Sequence, residues 1–179
     1  LQKEKKGYKS FLLCGSEAGV GTTSTSVELA ISLSVAGWKT ILVDGDLRKG
    51  SRYKRLNEDV KQGLSDYICF DAQLEDCIYA TNWDLLHYIP CGTAKEESPV
   101  RMLCSVNMDI VMRRLQEEYD FVIIDVPSLN SSVDAQILAV KADASILVTA
   151  LHSSKRRCLE EAKKQLEQAG GNLIGVVEN

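Results

Sequence analysis

The nine residues Ser16-Glu17-Ala18-Gly19-Val20-Gly21-Thr22-Thr23-Ser24 sit between a short apolar run and a helical pattern. Glycines at that place let the backbone turn sharply and aim several N–H groups into one concavity. The helix that follows adds its own unpaired N–H groups and the positive end of its dipole. Such a loop cradles a phosphate chain, and the hydroxyl of Thr23 or Ser24 falls where loops of this kind hold Mg²⁺. The usual pattern has a lysine directly after the last glycine. Here that position is Thr22, and the nearest lysine upstream is Lys9. Losing a charge-assisted hydrogen bond costs about 1.5–3 kcal/mol in binding. Losing one transition-state donor costs about 10²–10³ in rate. Nucleotide binding is therefore expected to survive better than phosphoryl transfer.

Acidic residues supply the second half of the chemistry. Ile41-Leu42-Val43-Asp44-Gly45-Asp46 puts two carboxylates just beyond an apolar run, and Phe121-Val122-Ile123-Ile124-Asp125 puts another. In a doubly wound sheet, ligands bind at the carboxyl ends of strands. Asp44, Asp46 and Asp125 are therefore expected to converge on the glycine loop. There they can hold Mg²⁺, directly or through water, or accept a hydroxyl proton. Any one aspartate alone would read equally well as a turn or helix cap.

Positioning these groups requires strands buried on both faces. Short apolar runs alternate with helical patterns along the whole chain, which argues for βαβ units in a three-layer, doubly wound, mostly parallel α/β fold. Strands are expected at 8–14, 40–43, 121–124, 144–149 and 173–177, with one or two more within 77–89. Helices are expected at 22–36, ended by Gly37, and at 63–70, 133–141 and 153–169. Ser98-Pro99 opens one long helix reaching about Glu118, with Ser as N-cap and Pro in the first turn.

The 179 residues suit one domain, residues 1–179. The formal net charge of −4 argues against a general nucleic-acid binder. No apolar run approaches the roughly 18 residues of a membrane span, and no signal-peptide pattern opens the chain. The six cysteines form no C-x-x-C pair and read as buried, reduced thiols. Leu1 at the start and a strand just ending at Asn179 lead us to expect a piece truncated at both ends. A basic run, Arg48, Lys49, Arg52, Lys54 and Arg55, reads either as a solvated loop or as a dock for an acidic or phosphorylated tail. His87 and His152 have no partner pattern.

Together, the glycine loop and the two acidic strand ends resemble the deviant P-loop ATPases related to MinD and ParA. Within that group they are most similar to the bacterial tyrosine kinases of capsule and exopolysaccharide synthesis. Val43-Asp44-Gly45-Asp46-Leu47-Arg48 matches that family's D-x-D-x-R motif. Asp125-Val126-Pro127-Ser128 offers the Asp of its third motif with a shifted proline. Gly63-Leu64-Ser65, Val133-Asp134-Ala135-Gln136 and Gly175-Val176-Val177 also look familiar, so the resemblance covers about residues 10–179.

The resemblance implies a P-loop fold that binds ATP or ADP with Mg²⁺, at reduced affinity here. It implies that Gly19, Val20, Gly21, Thr22, Thr23 and Ser24 contact the phosphates and that Thr23 sits at Mg²⁺. Asp44 would be the base or water-orienting group, Asp46 and Asp125 would lie near the metal, and Arg48 would organise the site or a neighbour's contact. The implied partner is a membrane polysaccharide chain-length regulator or activator, with a homo-oligomer left open and no nucleic acid. The implied place is the cytoplasm, at the inner face of the membrane through that partner or a segment outside this chain. Departures from the family are Thr22 for the loop lysine and Glu28 where asparagine is frequent. The family's C-terminal tyrosine cluster and the charged oligomerisation helix before the first strand are also missing, which truncation accounts for. The alternatives are a pseudokinase scaffold without useful chemistry and a MinD/ParA-type localisation ATPase. The latter usually adds a lysine early in the loop, where this chain has none.

Overall fold

The structure, a computed structural model, describes residues 7–50, 62–70, 72–93, 98–150 and 156–179. Its seven-stranded sheet has the spatial order β3-β4-β2-β5-β1-β6-β7. The strands are β1 (Ser10–Gly15), β2 (Thr40–Asp44), β3 (Tyr79–Ala80), β4 (Leu86–Ile89), β5 (Phe121–Asp125), β6 (Ala144–Thr149) and β7 (Leu173–Glu178). All neighbours pair in parallel except β3, which runs antiparallel to β4.

The continuous apolar runs form central strands because both faces of each are covered. Leu12 and Cys14 of β1, Ile41 and Val43 of β2, and Val122 and Ile124 of β5 enter one core. The alternate residues Leu13, Leu42 and Ile123 enter the other. Helix α1 (Thr22–Val35) packs Val27 and Ala30 into the second core. Helices α2 (Leu64–Phe70), α4 (Val106–Glu118), α5 (Asp134–Lys141) and α6 (Arg156–Ala169) cover the first. This is the three-layer, doubly wound arrangement expected. Asp143 fastens the start of the sheet: its Oδ2 accepts from the Lys9 and Ser10 amides and the Ser10 hydroxyl, each at 2.9 Å.

Two expectations need correction. The helix foreseen from Ser98 to about Glu118 is two helices, α3 (Pro99–Leu103) and α4. Ser105 adopts an extended conformation (φ −75°, ψ 156°), and its hydroxyl accepts from the Met108 amide at 3.2 Å. A serine that caps a new helix competes with helix continuation at the same residue. The thiols are also not uniformly buried: Cys14 and Cys77 are, whereas Cys104, at that same break, is exposed. Burial alone pushes the Cys14 thiol up to about 12, and it dominates in holding Cys77 at about 11. Of the basic run, Arg52, Lys54 and Arg55 lie outside the described residues, as do His152 and the start foreseen for the last helix.

Candidate functional site

The ends of β1, β2 and β5 meet around an open cavity of about 480 Å³. Its wall includes Gly19, Gly21, Thr22, Thr23 and Ser24 from the glycine loop and the start of α1. The start of the loop is held by three hydrogen bonds, one to β6 and two from the loop after β5. Ser16 N–H donates to the Val148 carbonyl at 2.8 Å, Leu129 N–H to the Gly15 carbonyl at 3.2 Å, and Asn130 Nδ2 to the Ser16 carbonyl at 3.0 Å. Gly21 precedes α1 with φ 88° and ψ 20°, a conformation that side-chain-bearing residues rarely adopt. Among the described residues no side chain caps α1, and no acidic residue sits in its first turn. The helix therefore presents its first N–H groups and the positive end of its dipole to the cavity.

The three acids occupy distinct positions. Asp44 and Asp125 stand side by side in register on β2 and β5. Asp125 is buried; its Oδ2 accepts from the Thr23 hydroxyl at 2.8 Å and its Oδ1 from the Ser26 hydroxyl at 3.1 Å. Asp44 is fully buried beneath the cavity, outside its lining, and accepts from the Asp46 N–H at 3.0 Å. Asp46 is the acid on the cavity wall. Its Oδ1 accepts from the Arg48 and Lys49 amides, both at 3.1 Å, which ties the chain after β2 into a tight turn closed by Gly50 N–H donating to the Asp46 carbonyl at 2.8 Å. Beside that turn lies Cys91; burial first, then the Asp44 and Asp46 carboxylates, push its thiol up to about 11.

Arg48, given an organising role from the sequence, lines the wall, together with Lys49 and with Ser131 and Ser132, to which the sequence gave no role at the site. Arg48 binds Asp134 with two parallel bonds, Nε to Oδ2 at 2.7 Å and Nη2 to Oδ1 at 3.0 Å. Asp134 is fully buried while the Arg48 side chain is 43% exposed. The bonds to Asp134 raise the pKa of a guanidinium that is charged in any case. Ser128, Ser131 and Ser132 of the loop after β5, with Lys49 after β2, also line the cavity. The Ser132 hydroxyl is buried without a hydrogen-bond partner among the described residues. Asn179, just past β7, donates from Nδ2 to the Val20 carbonyl at 3.1 Å. A polar residue at a strand's carboxyl end is the signal that could have singled it out. Val20, expected at the phosphates, points into the core, 5% exposed, and is not among the residues that line the cavity.

This donor set fits a magnesium-bound nucleotide. The cavity is in the volume range of small-molecule sites, and an uncapped helix start meets the charge of a phosphate chain. Among the described residues no three His, Cys, Asp or Glu side chains cluster as a metal centre. Mg²⁺ at such a site takes a hydroxyl, one or two carboxylates, phosphate oxygens and water, and Thr23, Asp125 and Asp46 are the groups present for it. Among the described residues, no helix is long and apolar enough to cross a membrane.

Residues 12–168 match the AAA domain family. The tyrosine-protein kinase CpsD of Streptococcus pneumoniae is 37% identical over 163 residues, covering 90% of this chain and 71% of that protein. The crystal structure of the chimerical protein CapA2B2 superposes with a TM-score of 0.92 at 27% identity, covering 98% of this chain and 77% of that one. The septum site-determining protein MinD of Pyrococcus horikoshii, solved with Mg-ADP, superposes with a TM-score of 0.74 at 27% identity, covering 96% of this chain and 70% of that one. The fold is thus that of the P-loop NTPases.

Proposed function

Because the chain belongs to the AAA-domain family of the bacterial tyrosine-protein kinases, we propose that it binds Mg²⁺-ATP and Mg²⁺-ADP at the loop of residues 15–21 and transfers the phosphoryl group weakly. The observation that supports this reading is Thr22 at the start of α1, on a cavity wall that it shares with Gly19, Gly21, Thr23, Ser24 and Asp46. When bound, the nucleotide supplies the transferable γ-phosphoryl group. The loop amides and the α1 N-terminus hold the phosphates, and Thr23, backed by Asp125, orients the metal. Asp46, on the wall, would help hold the metal or orient the acceptor hydroxyl, while buried Asp44 fixes the start of the turn that carries Asp46. Thr22 offers a hydroxyl in place of an ammonium, so charge developing on the terminal phosphate goes uncompensated at that point. The expected loss is about 10²–10³ in rate.

The setting in this reading is capsule or exopolysaccharide synthesis, on the cytoplasmic side, beside a membrane chain-length regulator. The second reading is a pseudokinase scaffold that keeps the fold and the partner surface; Thr22 favours it too. A single-turnover assay with γ-labelled ATP separates the two. Thr22→Lys should raise phosphoryl release or transfer about 10²-fold, and Asp46→Ala in that background should remove the gain. A Thr22→Lys variant that binds nucleotide yet stays silent would overturn weakened transfer in favour of the scaffold.

A further inference from the structure

Among the described residues, two cations line the same cavity as Thr22: Arg48 and Lys49. Only one is available to a ligand. Arg48 has both carboxylate oxygens of the fully buried Asp134 as partners, and turning it toward the cavity would leave that carboxylate buried and unpaired. Among the described residues, the Lys49 ammonium has no hydrogen-bond or ion-pair partner, and the residue is exposed on the cavity. Its backbone is nevertheless fixed, because Asp46 Oδ1 accepts from its N–H at 3.1 Å and Gly50 closes the same turn. A hydrogen-bonded turn thus holds an ammonium, without a partner among the described residues, on the wall of a site whose loop carries none. The other charged wall residues, Glu17 and Asp46, are acidic, so without Lys49 the described wall would offer a polyphosphate no cationic side chain free of a carboxylate partner.

We infer that Lys49 supplies, from the turn after β2, the phosphate-binding positive charge that Thr22 cannot. This rests on the nucleotide-binding reading. On that reading it explains binding with weak transfer: an ammonium on the turn after β2 attracts the phosphate chain but does not stand at the start of α1, where a loop lysine would meet the terminal phosphate. Lys49 is a binding residue on this account, and it performs no proton transfer.

The test is calorimetric titration of Mg²⁺-ATP into the unaltered protein, Lys49→Ala, Lys49→Arg, Thr22→Lys and the double variant Thr22→Lys/Lys49→Ala, with thermal melts of each in the absence of nucleotide. Lys49 is exposed and its fixed contact is through its backbone, so the melts should coincide. Lys49→Ala should weaken binding by about tenfold to a hundredfold, the value of one charge-assisted hydrogen bond. Lys49→Arg should retain most of the affinity. Thr22→Lys should improve binding far more in the Lys49→Ala background than in the unaltered protein, because the two ammonium groups serve the same phosphates. Unchanged affinity in Lys49→Ala, or equal gains from Thr22→Lys in both backgrounds, would overturn the role of Lys49 and leave nucleotide binding intact. Binding by Thr22→Lys alone, with none by the unaltered protein, would overturn it as well, since Lys49 would then not compensate. An absence of binding by all five proteins would instead refute the nucleotide reading, and this inference with it.

Discussion

Replacing Arg48 by alanine should destabilise the protein more than replacing its partner Asp134, although both substitutions remove the same pair. Asp134 is fully buried, whereas the Arg48 side chain is 43% exposed. Arg48→Ala therefore leaves a carboxylate uncompensated away from water, which costs about 3–5 kcal/mol when a buried pair is broken from that side. The adjoining cavity of about 480 Å³ admits water near the vacated space and favours the low end, about 3 kcal/mol. Asp134→Ala leaves a guanidinium that rehydrates in place, so the loss is closer to about 1–2 kcal/mol, including a favourable carboxylate in the first turn of α5. For a chain of this size about 1 kcal/mol corresponds to about 2–4 °C in Tm. Arg48→Ala should thus fall by about 6–12 °C and Asp134→Ala by about 2–8 °C. The double variant should resemble Asp134→Ala, since removing Arg48 costs little once no carboxylate is waiting for it. Urea unfolding of all four proteins measures this. Additive losses, or an Asp134→Ala variant less stable than Arg48→Ala, would refute the view that the pair is held by burial of its acidic half.

Other parts of the molecule make independent predictions. Burial opposes ionisation of Asp143, but the Ser10 and Lys9 amides, the Ser10 hydroxyl and the Gln116 amide outweigh it and hold its pKa below the ordinary carboxylate value. A depressed folded pKa gives stability that is complete above the unfolded value, about 4, and is lost as pH falls through the lower folded value. Asp143→Asn should therefore flatten the acid limb of a stability-versus-pH curve below about pH 4, and an unaltered limb would contradict the assignment. Thiol labelling of the folded protein should modify Cys104 first, while Cys14 and Cys77 react only at the rate of unfolding. Mass spectrometry after partial labelling distinguishes the sites, and early modification of Cys14 would show that β1 is less enclosed than described.

The fold was legible where burial leaves a strong imprint. β1, β2 and β5 are covered on both faces, so their sequences are unbroken apolar runs, and Gly19 and Gly21 mark a loop no other residues would form as easily. Thr23 and Asp125 were legible because one follows the glycine loop after β1 and the other ends the apolar run of β5, two strands that pair in the sheet. The break at Ser105 was not, because a serine within an otherwise helical pattern looks the same whether it continues the helix or caps the next one. The Arg48–Asp134 pair joins residues 86 apart, a distance no local periodicity reports. Lys49 was visible only as one charge in a basic run; its separation from Arg48 in role depends on Asp134, which the chain brings in from α5. The difference between Asp44 and Asp46 is likewise tertiary: two residues apart, one lies under the cavity and the other on its wall.

The central claim is that this loop binds a magnesium nucleotide despite Thr22. Its most direct test is isothermal titration of ADP into the protein in the presence and absence of Mg²⁺, alongside Thr23→Val, which removes the hydroxyl paired with Asp125. The account predicts micromolar binding that weakens at least tenfold without Mg²⁺, with Thr23→Val losing most of that metal dependence, as expected for a hydroxyl in the metal's coordination. No heat of binding at millimolar nucleotide, or binding indifferent to both Mg²⁺ and Thr23, would contradict it.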